Sequence, residues 1–572
     1  MAPRAITFFR VCALIVALSP FLFASARGVA AREGSAKDPA LDSQIAALIE
    51  AASPAQGFGP APLSPALVSM RDAGLMRFDA SGRLMAYVYP SGSLVAAGDA
   101  VIARGGKVER TSDELGAVLA ALPLAGVQDV AHDDAVRYVS LPRYPVLNAG
   151  GRVTEGDAIL GVDDMRAAYG VDGEGIKIGV ISDGIWRYEK SQQSGDLPAE
   201  INYTTCNAVP ELDPAGPLAG GEGTALLEIV HDLAPGAELW FGSFGFSSSA
   251  HGTEIEFMEA VTCLAQHVDV VVDDISWFGI GPYDGTSTLS LNTSNQLNSP
   301  SNPIRLYATS AGNWARRHYN EPYQPCNGAD VQTFQGTALT IDSHGAGPQC
   351  SAPLTLGGYS SLLVFLQWDD EFGASCNDYD LVLREHGATN VLASSTGPQT
   401  CGQDPVEQVV WSNVSLSSVE LDLVVENVGG LAAPRQLDLF IIGADDVAGL
   451  PYYTLSGSVP SQGDAGGGVI SVGAIGAYDD PPDDIEPYSS IGPTADGRMK
   501  PDITAIDCVN VTGNGFHNPP LLRHLGVGAS YRRHRRPAAR LQPGLAGRFR
   551  RFGLRGPGGV VRRDPQDSGR PG

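Results

Sequence analysis

Five short apolar segments along the middle of the chain restrict the folds it can adopt more than any other feature. They read IKIGVI, AELWFGSF, VDVVVDD, IRLYATSAG and GVISVGAI, and the helical patterns GTALLEIVHDLA and IEFMEAVTCLAQH lie between them. Nearly continuous apolar strands are typical of parallel sheets covered on both faces. We therefore predict an α/β fold with a doubly wound parallel sheet, built from residues 151–330 and 447–520, whose chemistry lies at the carboxyl ends of the strands.

Two further regions have different patterns. Residues 32–150 alternate strand and helix patterns, such as LMAYVYP and LGAVLAALPLAGVQDVA, and predict a small α+β domain ending in the linker SLPRYPVLNAGGRVTEG. Residues 331–446 contain alternating segments such as SLLVFLQWDD and VELDLVVENV between turns, with no convincing helical pattern. This pattern predicts a β-sandwich or jelly-roll domain inserted between the two parts of the α/β domain.

The net charge and the first residues indicate where the protein works. A net charge of −26 and a pI near 4.7 disfavour nucleic acid as a partner. Arg4 and Arg10 precede the apolar stretch VCALIVALSPFLF and the small residues ASA, which predicts a signal peptide over residues 1–31. We expect a secreted protein, extracellular or periplasmic, with no membrane contact after the signal is removed; no feature predicts its oligomeric state.

The cysteines are consistent with an oxidising compartment. Seven remain once Cys12 leaves with the predicted signal peptide. Disulfides are expected in such a compartment, and an odd number leaves one thiol over or one partner lost. The connectivity does not follow from the sequence, although Cys326 with Cys350 and Cys376 with Cys401 are the pairs that close short loops.

Three stretches, in this order, resemble the subtilisin-like serine peptidases. IKIGVISDG places Asp183 after a strand, where that family has its triad aspartate. GEGTALLEIVHDLAPGAEL is similar to the helix that begins at the family's histidine, and YATSAGN places Asn313 at the position of the oxyanion-hole asparagine. The resemblance covers about 160–330 and 450–512 of the chain. It implies hydrolysis of peptide bonds in protein or peptide substrates.

The same resemblance implies a substrate strand and no cofactor. VDVVVDDISWFG is similar to the family's substrate-binding strand, which implies that Ser276, Trp277 and Gly279 contact the substrate. The acidic loop DDPPDDIE lacks the spacing of a calcium loop, so a solvated loop is favoured over a calcium site and no metal is expected.

One position of the resemblance carries a different residue. The family's general base is histidine, and the matching residue here is Glu222. A serine hydroxyl needs an adjacent base to become a nucleophile, and a glutamate serves in the related sedolisins. Those peptidases have an aspartate one helical turn later, where this chain has Leu226, so the pattern is a hybrid of Asp183 and Glu222. Two carboxylates in one site raise one pKa, and a glutamate base starts from a pKa of about 4.3. We therefore expect activity in acid.

Several of these residues also have simpler structural interpretations, which the sequence does not exclude. His231 lies about 13 Å along the same helix and half a turn out of phase with its start, so a surface histidine is the simpler reading. Asp183 can also be interpreted as a cap at the end of a strand, and Asn313 as a turn residue. Asp274 and Ser276 suit backbone positioning beside a groove better than catalysis.

The resemblance also assigns roles to the flanking regions. Residues 32–150 stand where subtilisin-like peptidases carry an inhibitory prosegment, with an unrelated small domain as the alternative. The insert is similar to jelly-roll modules attached to secreted peptidases. That similarity implies a structural or substrate-orienting role, with sugar binding as the alternative.

The family's nucleophile motif is absent where it is expected. After KPDITA the family runs on to GTS and an apolar helix, but residues 521–572 contain no GTS and hold 13 arginines, no lysine and two aspartates. Codons exist for Arg523–Arg540 that, read one base later, give GTSASAPHTAAIAALLL. We interpret 521–572 as a basic tail read out of frame from about residue 515 to 520, in preference to a disordered extension. Ser530 is followed by YRRHRR instead of a helix and is not a substitute.

Two functions follow from these patterns. The first is a secreted serine endopeptidase that forms an acyl-enzyme, with Asp183 and Glu222 as its base pair; the chain as it stands lacks the serine and is expected to be inactive. The alternative is a non-catalytic pseudopeptidase whose β domain binds an extracellular polymer or protein. An in-frame GTS in the gene would separate the two.

Overall fold

The computed structural model describes a large part of the chain, with gaps. The described residues are 38–52, 65–72, 76–79, 81–143, 146–147, 155–217, 219–245, 251–334, 349–443, 452–477, 484–509 and 511–512. The chain divides into two units, Met1–Gly528 and Ala529–Gly572, and the described residues all belong to the first. The predicted signal peptide and basic tail, and residues 478–483 of the acidic loop, lie outside the described residues.

The N-terminal domain has helices packed on an antiparallel sheet. The sheet has the strand order β2-β3-β1-β4, and its apolar strand residues form a core with the first helices. The elements are α1 (Ser43–Ala52), α2 (Pro65–Asp72), β1 (Leu84–Pro90), α3 (Leu94–Ala103), β2 (Lys107–Ser112), β3 (Ala117–Leu122), α4 (Leu124–Ala131), β4 (Val136–Ser140) and the short β5 (Val146–Leu147).

The next segment alternates helices and strands. Its elements are α5 (Gly156–Ile159), α6 (Val162–Tyr169), β6 (Lys177–Ser182), α7 (Tyr188–Ser194), β7 (Asn202–Asn207), α8 (Glu222–Leu233), β8 (Glu238–Ser243), α9 (Glu254–Ala265), β9 (Val270–Asp273), β10 (Ile275–Ser276), α10 (Thr288–Asn298) and β11 (Leu306–Ser310). Within the described residues, no helix has the length and apolar composition needed to cross a membrane.

The insert contains two antiparallel sheets that share one apolar core. Its strands are β12 (His318–Pro322), β13 (Pro325–Cys326), β14 (Ala329–Gln332), β15 (Ala352–Leu356), β16 (Ser361–Trp368), β17 (Tyr379–Glu385), β18 (Val391–Ser395), β19 (Val406–Ser412), β20 (Val419–Asn427) and β21 (Gln436–Ile442), with a 3-10 turn at Val428–Gly430. One sheet has the order β12-β21-β16-β19 and the other β13-β14-β20-β17-β18, with β15 beside β20. Strands β12 to β14 thus belong to the insert although they precede or span residue 331.

Two strands then complete the parallel sheet, β22 (Ile470–Gly476) and β23 (Ile503–Asp507). The sheet has the order β23-β22-β11-β9-β6-β8-β7, and its neighbours all pair in parallel. The predicted α/β class is confirmed. The order reverses between β6 and β9, and such a reversal opens a crevice at the carboxyl ends of the strands.

Helices lie against both faces of the parallel sheet. On one face α9 packs over Ile181 and Val271. On the other face Leu227 of α8 packs with Val180 and Phe241. Alternate strand residues therefore point to opposite helical layers, which is the reason the strands read as continuous apolar runs.

Three disulfides are formed within the described residues. Cys326 pairs with Cys350 and Cys376 with Cys401, as the short-loop argument predicted. The third joins Cys206, on β7, to Cys263, on α9, across a sequence separation of 57 residues, and Cys508 is in none of the three disulfides. The odd cysteine count therefore leaves one cysteine of the described residues outside the disulfides.

Candidate functional site

Asp183 follows β6 and Glu222 begins α8, and the fold brings the two into contact. The backbone N of Glu222 donates to Oδ1 of Asp183 over 3.1 Å, and the backbone amides of Gly223 and Gly184 also donate to this carboxylate. Gly221, which precedes the helix, offers no side-chain cap. A carboxylate from a neighbouring strand thus caps α8, so the position of Asp183 and the start of the helix depend on each other.

The Glu222 side chain is buried, with 3% of its surface exposed. Its Oε2 accepts a hydrogen bond of 2.6 Å from Oγ of Ser182. Its Oε1 has no hydrogen-bond partner among the described residues. One oxygen is therefore fixed and the other is open to a donor. No sequence pattern singled out Ser182, although it directly precedes Asp183 in SDG.

Burial and mutual repulsion raise the pKa values of this pair. Burial raises the pKa of Asp183, and hydrogen bonds from the amides of α8 and from Ser182 oppose the rise. Burial, then the negative charges of Asp183 and Asp274, raise the pKa of Glu222 well above its usual range. The two carboxylates therefore titrate as a pair, at a higher pH than free carboxylates do.

Asn313 lies beyond the end of β11, at the same edge of the sheet as the end of β6. Gly312, before it, has a φ of 93°, and a Cβ at that position would lie 2.6 Å from the ring of Trp314. Glycine is therefore required for the tight turn that carries half-buried Asn313. The fold places Asn313 at the predicted edge, and its role as an oxyanion donor stays a prediction.

Ser276 lies on β10, which pairs antiparallel with β5. Ser276 is opposite Val146, and Ile275 is opposite Leu147. An extended segment from the end of the N-terminal domain thus lies along the predicted substrate strand, in the manner of strand addition. The side chain of Ser276 accepts a hydrogen bond of 3.3 Å from the Trp314 ring.

Trp277 and Gly279 have structural contacts of their own. Trp277 is fully buried and its ring centroid lies 5.5 Å from that of Phe257. Its backbone N and O both bond to Ser461, over 3.3 and 3.1 Å. Gly279 has a φ of 64°, and a Cβ there would lie 2.8 Å from Val406 of the insert. These residues join the sheet to its surroundings, and their predicted contact with substrate stays a prediction.

Three further residues of α8 have structural positions. Leu226, where the sedolisins carry an aspartate, packs at the edge of an apolar cluster. His231 lies in the last turn, at the opposite end of the helix from Glu222, and burial lowers its pKa. Buried Glu228, which the sequence argument missed, accepts a hydrogen bond of 2.8 Å from the backbone N of Thr512.

One cluster within the described residues has the residue types of a metal site. It consists of Cys206, Cys263 and His267. The two sulfurs are joined in a disulfide, and a bonded sulfur is no thiolate ligand. Residues 478–483, where calcium was considered, lie outside the described residues.

Comparisons with known proteins give partial likenesses of fold. No family model matches the chain, and no curated protein matches it. The CspB protease of Clostridium perfringens is 15% identical, with a TM-score of 0.38, over 62% of this chain and 79% of that one. The epidermin leader peptide processing serine protease EpiP of Staphylococcus aureus is 13% identical, with a TM-score of 0.28, over 40% of this chain and 60% of that one. Both neighbours are described as proteases.

Proposed function

We propose that the gene encodes a secreted, subtilisin-like serine endopeptidase in which Asp183 and Glu222 take the places of the aspartate and histidine. The arrangement of Glu222 is the observation that supports this most. Ser182 fixes one carboxylate oxygen, while the other has no described partner in a buried site. A buried acceptor without a donor is costly, and a serine hydroxyl is the donor that a general base requires.

The roles of the residues follow from their contacts. The serine oxygen attacks the peptide carbonyl, Glu222 takes the hydroxyl proton and returns it to the leaving amine, and water hydrolyses the acyl-enzyme. Asp183 positions Glu222 through its backbone amide, and its charge makes Glu222 a stronger proton acceptor. Asn313 donates to the oxyanion from the neighbouring strand end.

The pH dependence of this enzyme follows from the raised pKa of Glu222. A general base must be ionised, so hydrolysis rises as the pH passes through that pKa. Burial, Asp183 and Asp274 raise it above the ordinary value. The acid limb of the pH profile therefore lies closer to neutrality than the pKa of about 4.3 of a free glutamate suggests, so activity is expected at a higher pH than the acid range expected from the sequence.

Beyond α8, the described residues cover one face of the parallel sheet only in part, and this supports a missing helix. Val272, Ala308 and Ile470 are paired across β9, β11 and β22 and face the same side. They are only half-buried, and Ile503 on β23 is 53% exposed. Apolar strand residues normally face a covering layer. The apolar helix read from the shifted frame supplies such a layer directly after its serine.

The N-terminal domain fits the role of an inhibitory prosegment. Its last described strand, Val146–Leu147, lies against β10, which carries the predicted substrate strand. A bound segment on that edge excludes a peptide from it. We therefore place the cleavage that frees the groove after this strand, in the linker that leads to residue 155.

The experiment begins with resequencing the codons for residues 505–545 from the source genome. The expected result is one inserted or deleted base, and the frame-restored protein should hydrolyse a peptide substrate while the chain as it stands does not. Glu222→Gln should then reduce kcat about 10²- to 10⁴-fold, the usual contribution of a general base. Glu228→Gln, a buried glutamate on the same helix, serves as the matched control.

Each outcome decides between the two functions. Full activity of the restored Glu222→Gln protein would exclude Glu222 as the base. Confirmation of the present frame would leave a non-catalytic scaffold, because no acyl-enzyme forms without a nucleophile. Inhibitor-sensitive hydrolysis by the chain as it stands would show that the missing serine has been replaced by another residue.

A further inference from the structure

A cavity of about 360 Å³ lies where the N-terminal domain, the parallel-sheet domain and the insert meet. Carboxylates from all three parts line it. Asp42 comes from the N-terminal domain, Glu254 from the start of α9, and Asp404 and Glu407 from the insert. The proposed peptidase chemistry uses none of these four residues, so the cluster needs a separate explanation.

Two of the four carboxylates are almost fully enclosed. Glu254 is 6% exposed and Glu407 is 3% exposed. Glu407 accepts a hydrogen bond from Ser395. This donor is uncharged, so it satisfies a carboxylate oxygen without neutralising the negative charge.

Positive charge is scarce around the cavity. Among its described lining residues, Arg137 and Arg143 are the cations. Arg143 donates to Oε1 of Gln408 over 2.8 Å, and Arg137 is exposed and donates to the carbonyl of Gly402. Four carboxylates thus share one partly buried cation and one at the surface.

The groups that face Glu254 do not offset its burial. Burial raises the pKa of Glu254 to about 7, although Tyr87 and Arg143 act against the rise and Asp404 adds to it. Tyr89 also faces the cavity, and burial raises the pKa of its phenol, so it stays neutral. Glu254 therefore holds a proton at a pH where a free glutamate has lost it.

Burial also raises the pKa of the carboxylate on the insert side of the cavity. Burial raises the pKa of Glu407 well above its usual range; Ser395 acts against the rise, and Asp380 and Asp42 add to it. Tyr138 stays neutral because burial raises the pKa of its phenol.

Burial also raises the pKa of Asp42 and of Asp404, and Arg143 acts against both rises. All four carboxylates therefore keep a proton up to a higher pH while the three parts are together than they do in water.

The N-terminal domain is seated directly on the insert beside this cavity. Gln44 donates to the carbonyl of Ser394 over 2.9 Å, and Gln403 donates to the carbonyl of Pro39 over 2.9 Å. Val410 of β19 is 1% exposed and belongs to the same apolar core as the N-terminal helices. The insert therefore forms part of the surface that holds the N-terminal domain.

We propose that this junction is a pH-dependent clasp, in which the insert and α9 hold residues 38–143 in acid and release them as the pH rises. The partner is a segment of this same chain, and the insert is its receptor. The inference does not rest on the proposed peptide hydrolysis, because the clasp consists of residues outside that site.

The sign of the effect follows from proton linkage. Glu254 has a raised pKa in the closed junction and returns to an ordinary value of about 4.5 when separation lets in water. Its contribution to binding is therefore fully present below about pH 4.5 and is lost as the pH rises through about 7. The other three carboxylates act in the same direction.

The test uses the full chain with residues 148–153 replaced by the recognition sequence of a site-specific protease. After cleavage, retention of the N-terminal fragment is measured by sedimentation or size-exclusion chromatography between about pH 5 and about pH 8. We expect its dissociation constant to rise about tenfold or more over this range, with proton release on dissociation. Retention that does not depend on pH would overturn the proposal.

Variants identify the groups responsible. Glu254→Gln and Glu407→Gln keep the shape of the side chain and remove its titration, so each should flatten the rise. Glu420→Gln on β20, whose side chain is 71% exposed, is the matched control and should behave like the parent chain. Equal pH dependence in all three variants would refute the clasp. If a variant fails to fold, the cleaved parent chain alone tests the proposal. Calorimetry in two buffers then measures the number of protons released when the N-terminal fragment dissociates, and a value of zero would contradict the clasp.

Discussion

Replacing Gly220 by alanine should displace the Asp183 carboxylate. A Cβ at Gly220 would lie 1.5 Å from Oδ2 and 1.9 Å from Cγ of Asp183, whereas real Cβ contacts rarely fall below 3.4 Å. The carboxylate, the loop or both must therefore move by about 2 Å in total. The backbone of Gly220 is not in the left-handed region, so the conflict is one of space alone.

A shift of this size breaks the hydrogen bond of 3.1 Å between Asp183 and the Glu222 amide. Loss of a hydrogen bond to a charged group costs about 1.5 to 3 kcal/mol, which denaturant unfolding of Gly220→Ala would detect. In the frame-restored protein, misplacing a positioned group by about 1 Å costs on the order of 10²-fold in rate. We therefore expect kcat to fall about 100-fold or more, with a smaller change in KM.

Gly92→Ala is the control for this substitution. No atom lies within 4 Å of a Cβ at Gly92, and its backbone is also outside the left-handed region. Its stability and kcat should match those of the parent protein. If Gly220→Ala behaves like Gly92→Ala, the loop before α8 can move away from Asp183 and the predicted displacement of the carboxylate is wrong.

Three further substitutions test other parts of the structure. Glu222→Gln should raise the thermal unfolding midpoint at about pH 8 and leave it unchanged at about pH 4, because the raised pKa makes wild-type stability fall as the pH rises; equal effects at both pH values would contradict this. Gly98→Ala should stabilise the protein by about 0.5 to 1 kcal/mol in denaturant unfolding, since a Cβ inside α3 meets Val108 at an ordinary 3.5 Å; a loss of stability would show that the contact is too tight. Replacing Cys206 and Cys263 by alanine should cost about 4 kcal/mol, from a closed loop of 57 residues; an unchanged denaturant midpoint would contradict this.

Features that depend on local pattern could be predicted from the sequence. The apolar runs predicted the parallel sheet, because strands buried on both faces need apolar residues at every position. The resemblance to subtilisin-like peptidases placed Asp183 and Glu222 in one site, and the structure has the backbone N of Glu222 within hydrogen-bond distance of the Asp183 carboxylate.

Features that depend on distant contacts left no pattern in the sequence. Gln44 and Ser394 are separated by 350 positions, and nothing near either residue indicates the contact. Glu254 reads as an ordinary acidic residue in the first turn of a helix, and only the assembled junction buries it. The disulfide between Cys206 and Cys263 could not be predicted either, because many connectivities are compatible with the same number of cysteines.

Because the β domain is inserted between β11 and β22, these two neighbouring strands of the parallel sheet are synthesised at different times. The ribosome makes β11 about 160 residues before β22, its partner in the sheet, which takes roughly 8 to 32 s at ordinary elongation rates. Throughout that interval the open edge of β11 offers unpaired amides and carbonyls to any other strand. The insert can fold in this time because its last strand ends at Ile442. The β domain is therefore already folded when β22 is synthesised and pairs with the edge of β11. Truncation anywhere between the two strands would leave that edge permanently open and, we expect, prone to pair with a second chain.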